Sequence, residues 1–307
     1  MHELDLAEHL ELMIGLAHEA GVVLIEYFNH AELLQKEWIS KTNFSTAADK
    51  AVGEMYRNAF AADYPDYNVL SEEFPALTKG SRYTWVCDEL DGTIPFRTGM
   101  DTFTTCIALC DGTTPIAGVV YAPKRNELYM AAQGMGATLN GMPIHVSVEA
   151  NVNHVLMGVD SGKATEKDPE ARRRKIPCLE KLLGPDGIAC DLNFGCASIP
   201  LCFTACGVHQ AYMATSLQPE DMAAAVIIIR EAGGKVTNYL GEEWELGDAS
   251  ILAANPILHR KLFDLLFAWT QQTRLVASLS PEEKAQLTHE QIREEQNRHR
   301  AELVFGP

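Results

Sequence analysis

Asp88-Glu89-Leu90-Asp91-Gly92-Thr93 follows directly on Tyr83-Thr84-Trp85-Val86-Cys87, an apolar, β-prone run that stops in carboxylates. A strand end is a good anchor for ligand-binding side chains, because the strand holds them rigidly and the loop beyond leaves room for a substrate. Asp88 and Asp91 are too close in sequence to share one face of a straight strand. The spacing therefore predicts a tight turn at Glu89-Leu90 that aims both carboxylates at one point and turns the Leu90 carbonyl inward. Gly92 and Thr93 then present successive backbone N–H groups, which form an anion site where a helical turn begins. One hexapeptide thus offers two acidic ligands, a neutral oxygen and a phosphate cradle.

Other acids answer to this set. Tyr67-Asn68-Val69-Leu70, a second apolar run, ends in Ser71-Glu72-Glu73. Asp221 falls in the first turn of a helix expected over 219–232, with Pro219 at its start and Gly233-Gly234 at its end. Hard divalent cations take carboxylate and carbonyl oxygens, and a site for two or more Mg2+ needs several carboxylates from different elements. Alone, each acid reads as a turn residue or a first-turn helix residue. Together they point to a metal centre.

The 307-residue chain is 47% hydrophobic, enough for a substantial core, and its 42 acidic and 25 basic residues give a formal net charge of −17. Such a surface repels nucleic acid and anionic lipid, which argues against either as a partner. It would repel a phosphorylated metabolite too, unless cations neutralise the acids of the site. No apolar run is long enough to span a bilayer. Met1-His2-Glu3-Leu4-Asp5 lacks the basic region of a signal peptide, and the 8 Cys include no Cys-x-x-Cys pair. These features predict a cytoplasmic protein with reduced thiols.

Leu10, Met13, Ala17, Ala20 and Leu24 recur at helical spacing, and Ala48, Val52, Met55, Ala59 and Phe60 predict a second helix after Thr46. Residues 104–109 and 116–121, separated by Asp111-Gly112-Thr113-Thr114-Pro115, predict a hairpin. Short strands are expected at 127–132, 137–139, 235–238 and 251–254, with helices over 199–207 and from Pro256 to about residue 270. Residues 161–175 read as a surface loop, and Ser280-Pro281-Glu282-Glu283 starts a charged helical tail.

Taken in order, these motifs resemble the inositol monophosphatase family from about Leu10 to Leu266. The family's first signature, Asp-Pro-apolar-Asp-Gly-Thr with a Phe beyond, is matched by Asp88 to Phe96. Its Glu-Glu strand end is matched by Glu72-Glu73, and its Thr with Asp three residues on by Thr46 and Asp49. Its second signature, Asp leading an Ala-rich helix into Glu-Ala-Gly-Gly, is matched by Asp221 and Glu231-Ala232-Gly233-Gly234. Gly195-Cys196-Ala197 resembles its Gly-Ser/Thr-Ala substrate segment, and Ala254-Asn255 its late Ala-Asn.

The resemblance implies an α/β (α+β) fold, the layered α/β/α/β/α sandwich of the inositol monophosphatase and fructose-1,6-bisphosphatase type. It implies an N-terminal part over 1–150, a C-terminal part over 151–270 and the tail over 271–307. It implies a lithium-sensitive, homodimeric phosphomonoesterase acting on a small phosphorylated metabolite with two to three Mg2+. Glu72, Asp88 and the Leu90 carbonyl would bind the first ion and Asp88, Asp91 and Asp221 the second, with Glu72 helping to hold a third. Asp49 and Thr93 would position the attacking water, Gly92 and Thr93 amides would hold phosphate, and Gly195, Cys196, Ala197 and Ala214 would face the leaving group.

Three positions depart from the family pattern. Glu89 replaces a turn-stiffening Pro and is expected to face solvent. Glu220 replaces a Trp. Ala214 stands where inositol-specific members carry a Glu that contacts ring hydroxyls, a bond Ala cannot make. Among alternatives, the haloacid dehalogenase phosphatases need an Asp nucleophile where Glu89 stands. A zinc site at Cys202, Cys206 and His209 lacks a fourth ligand, and an EF-hand loop is excluded by Cys87 and Leu90. A non-catalytic regulatory member of the family is the remaining alternative.

Overall fold

The computed structural model describes residues 4–30, 36–38, 44–160 and 175–277; for 36–38, 44–45 and 268–277 it describes the backbone alone. The helices are α1 (Leu6–Asn29), α2 (Ala47–Asp63), α3 (Thr93–Thr98), α4 (Ile176–Leu182), α5 (Ser198–Ala205), α6 (Ala223–Glu231) and α7 (Pro256–Ala277). The strands are β1 (Lys36–Trp38), β2 (Phe44–Thr46), β3 (Asn68–Ser71), β4 (Tyr83–Asp91), β5 (Thr104–Asp111), β6 (Thr114–Ala122), β7 (Glu127–Ala132), β8 (Ala137–Leu139), β9 (Met142–Pro143), β10 (Leu156–Asp160), β11 (Cys190–Leu192), β12 (Ala211–Ala214), β13 (Lys235–Thr237) and β14 (Ile251–Ala254).

Two large sheets organise these elements. Strands β3 to β9 form a seven-stranded sheet in sequence order, parallel at β3–β4 and antiparallel elsewhere. The five-stranded sheet has the order β11-β10-β12-β14-β13, with β11, β10 and β12 parallel. Helices α1 and α2 cover one face of the first sheet, burying Met13, Leu24, Val52 and Phe60 against Trp85 and Val119. Helices α5 and α6 fill the space between the sheets, where Leu201, Val226 and Ile228 meet Val86, Val120 and Tyr212. Helices α4 and α7 cover the far face of the second sheet. The layers run α/β/α/β/α, as expected. The helix interiors are close to uniformly apolar because α5 and α6 are enclosed on both sides.

The apolar stripe predicted for α1 is buried along its whole length. The hairpin is present, but its strands run on to Asp111 and from Thr114, leaving only Gly112-Thr113 as its loop. The helix expected over 219–232 is divided: Pro219–Asp221 is one 3-10 turn, and α6 starts only after Met222. β10 and β12 carry no alternating pattern that marks them as strands, since both faces are covered there, and β11 is a three-residue exposed edge strand. The loop expected over 161–175 falls outside the described residues except at Lys175, and the tail from Ser280 lies wholly outside them. Among the described residues no helix is long and apolar enough to cross a membrane. The eight cysteines are free thiols.

Candidate metal centre

The hexapeptide does not form the expected tight turn. β4 continues through Asp91, and its pairing with β5 shifts register between Asp88 and Asp91. Residues three apart on a regular strand face opposite sides; a bulge adds the extra residue that brings both aspartates to one side. Glu89 and Leu90, between them, turn toward the α1/α2 layer, where Leu90 joins the core cluster.

Asp88, Asp91 and Asp221 converge, each offering a carboxylate oxygen within 4.8 Å of the others. A backbone N–H pins one oxygen of each. Asp88 Oδ1 accepts from Leu90 N at 3.0 Å, and Asp221 Oδ2 from Gln218 N at 2.8 Å. Asp91 Oδ2 accepts from Ala197 N at 2.9 Å, Ser198 N at 2.7 Å and Ser198 Oγ at 2.5 Å. Such ties fix the orientation of carboxylates before any ligand arrives. Ser198 also meets Thr104 Oγ1 at 2.5 Å, which joins α5 to β5. It was not among the residues picked from sequence, and only its place directly after Gly195-Cys196-Ala197 could have marked it.

Glu72 is not in this convergent set, although it ends β3 beside β4. Its charge acts instead with that of Glu73 on two buried carboxyls, Asp49 and Glu89, opposing the ionisation of both. Burial first, then Glu73 and Glu72, push the Asp49 carboxyl up to about 7 against two hydrogen bonds from Thr46, one from its backbone N at 2.9 Å and one from its hydroxyl. Thr93 Oγ1 donates to the Leu90 carbonyl at 3.3 Å.

Glu89 does not face solvent. It is buried, Oε1 accepts from Ser71 Oγ at 2.6 Å, and Oε2 has no hydrogen-bond partner among the described residues. Burial, with Glu73 and Glu72 adding, pushes its carboxyl up to about 8. Folding thus raises the proton affinity of Asp49 and Glu89 above their ordinary values of 3.8 and 4.5. Stability from this source is complete below those values and is lost as pH rises through about 7 and about 8. Metal-free protein should melt at progressively lower temperature from about pH 5 to pH 8, and Glu89→Gln should flatten the upper part of that fall. Melting curves in chelator check this; an unchanged slope in the variant would count against a buried, proton-holding Glu89.

The Gly195-Cys196-Ala197 segment packs onto the hexapeptide and the start of α3. A Cβ at Gly92 would lie 3.0 Å from Cys196 Cβ, one at Gly195 would lie 3.0 Å from Pro95 Cγ, and the Thr102 hydroxyl donates to the Phe194 carbonyl at 3.2 Å. Cys196, Ala197 and Ala214 are buried. Glu220, also buried, is next to Asp221 but is not one of the converging acids. Cys202, Cys206 and His209 form no metal-ligating cluster among the described residues, and burial pushes the His209 imidazole down to about 4.

An all-oxygen donor set of three converging carboxylates, with a carbonyl in the same bulge, suits a hard divalent cation rather than zinc or copper. A layered α/β/α/β/α fold with three carboxylates converging where β4 meets the start of α3 places the chain in a class of proteins that includes metal-dependent phosphatases. Within that class the chain belongs to the inositol monophosphatase family, whose sequence profile matches residues 5–275. It is 32% identical over 257 residues to a fructose-1,6-bisphosphatase/inositol-1-monophosphatase of Aquifex aeolicus, covering 83% of this chain and 94% of that one. It is 31% identical over 238 residues to the Nus factor SuhB of Xylella fastidiosa, covering 76% and 83%. The structure of an inositol monophosphatase from Anabaena superposes with a TM-score of 0.74 at 29% identity, covering 86% of this chain and 97% of that one.

Proposed function

We propose that this protein is a Mg2+-dependent phosphomonoesterase acting on a small phosphorylated metabolite. The observation that carries the reading is the convergence of Asp88, Asp91 and Asp221, each already oriented by a backbone N–H. Glu72, Asp88 and the Leu90 carbonyl would hold one ion, Asp88, Asp91 and Asp221 a second, and Glu72 would help hold a third. Bound there, Mg2+ supplies the charge that lets a phosphate approach a chain of net charge −17 and lowers the pKa of water.

The chain's own groups do the rest. Gly92 and Thr93 N–H groups, at the start of α3, hold phosphate oxygens. Asp49, held by Thr46, and Thr93 orient the attacking water, and Asp49 takes its proton. Water oxygen bonds to phosphorus, the ester P–O bond breaks, and the leaving alkoxide gains a proton. Gly195, Cys196, Ala197 and Ala214 border the leaving group. Ala214 cannot make the hydroxyl contact of inositol-specific members, which favours a substrate other than inositol 1-phosphate. We place the protein in the cytoplasm as a homodimer, by resemblance to the family.

Phosphate release from a panel of phosphomonoesters should require Mg2+, stop in chelator and fall in millimolar lithium. Inositol 1-phosphate as by far the best substrate would overturn the inference from Ala214. A second reading rests on relatives named Nus factor SuhB in Xylella fastidiosa and Pasteurella multocida. No Mg2+-dependent release across the whole panel would favour a role like the one those names give over hydrolysis.

A further inference from the structure

The leaving-group side of the centre contains a carboxylate that the family resemblance does not assign. β10 lies between β11 and β12, and its last residue, Asp160, is paired in register with Ala214. Neighbours in register on parallel strands project to the same face. That face is the one toward α5. Gly158 and Tyr212 share it, and Met157 and Val159 turn instead into the core against α7. On its other side β10 meets the substrate segment. β11 ends at Leu192 opposite Gly158, and the Asn193 side chain donates to the Val159 carbonyl at 3.0 Å, holding 193–197 against the end of β10. Asp160 therefore sits between Ala214 and the Gly195-Cys196-Ala197 segment, partly exposed.

Tyr212 supports the same placement. Gly158 is what lets its ring lie across β10: a Cβ there would stand 2.6 Å from Tyr212 Cδ2. Its hydroxyl is buried with no hydrogen-bond partner among the described residues. Beyond burial, the charges of Asp160, Asp91, Cys196 and Asp221 oppose its ionisation, so the hydroxyl stays protonated and can donate. A buried unsatisfied hydroxyl needs an explanation, and a polar group of a ligand held at Asp160 would supply one.

We infer that Asp160, with the Tyr212 hydroxyl beside it, receives a hydrogen-bond donor of the leaving group, taking over the place that Ala214 leaves vacant. Two leaving-group chemistries fit a carboxylate here, a hydroxyl-rich alcohol and an ammonium-bearing one. The inference rests on the hydrolase reading.

The test measures kcat/KM with Mg2+ on glycerol 2-phosphate, phosphoethanolamine and phenyl phosphate, for wild type, Asp160→Asn, Asp160→Ala and Asp160→Ala/Ala214→Glu. Asp160→Ala should lower one donor-bearing ester about 30-fold more than phenyl phosphate, the size of a lost hydrogen bond to a charged group. Asp160→Asn should keep a hydroxyl substrate within a few-fold and lose an ammonium one, because an amide oxygen accepts but carries no charge. Glu at 214 should restore most of the selectivity. An equal loss on all three esters would overturn the inference and leave the hydrolase reading intact. No release from any ester by the wild type would overturn both.

Discussion

Asp91→Asn should lower phosphate release by about 10³-fold or more while leaving the protein folded. The carboxylate has two separate tasks. Oδ2 accepts three hydrogen bonds from Ala197 and Ser198 at the start of α5, and the side chain also converges with Asp88 and Asp221. An amide can keep the first task by turning its oxygen to α5. Its NH2 then faces the two remaining carboxylates, a donor where a cation needs an acceptor. Removing one of three like charges also relieves repulsion in metal-free protein, which offsets the loss of a charge at the helix N-terminus. The metal-free variant should therefore melt within a few degrees of wild type and no longer be stabilised by Mg2+. A variant that unfolds would mean that Asp91 is a structural cap first, and one that retains turnover would remove it from the centre.

Gly92→Ala should cost stability and activity together. Gly92 has φ 88, and a Cβ there would lie 2.6 Å from the Thr102 carbonyl oxygen, a backbone atom that cannot step aside. Left-handed strain of about 1–2 kcal/mol and overpacking of about 1–3 kcal/mol add, so a loss near 3 kcal/mol is expected. Relief of the clash must also displace the Gly92-Thr93 amides from the phosphate position, with about a 100-fold fall in turnover. Gly233→Ala separates the two effects, since Gly233 has φ 85 but nothing within 4 Å of its Cβ. Denaturant melts of both variants should show a clearly smaller loss for the second.

The centre was readable in sequence where ligand chemistry limits the choice. Asp88, Asp91 and Asp221 are spread over 134 positions, yet a multi-carboxylate cation site demands such a set, and the motifs around each supply the order. The layers were readable because α1 and α2 carry clean helical stripes. Glu89 was misread because a charged side chain after a strand is normally exposed. Its burial depends on the bulge that turns it under α2, and a bulge has no mark in local composition. Glu72, grouped with Asp88 by resemblance, follows β3 outside the converging set, and its charge acts with that of Glu73 on Asp49 and Glu89. Asp160 could not have been found at all. It matters only through a register with Ala214 that spans 54 residues, between strands buried on both faces and so without alternation.

Calorimetric titration of Mg2+ into chelator-treated protein, with inorganic phosphate present, tests the centre most directly. Wild type should bind saturably, and Asp221→Asn, whose change leaves β4 and α5 untouched, should lose at least one ion's worth of binding while melting normally. Equal binding by the two proteins, or none by the wild type, would contradict a cation centre built on Asp88, Asp91 and Asp221.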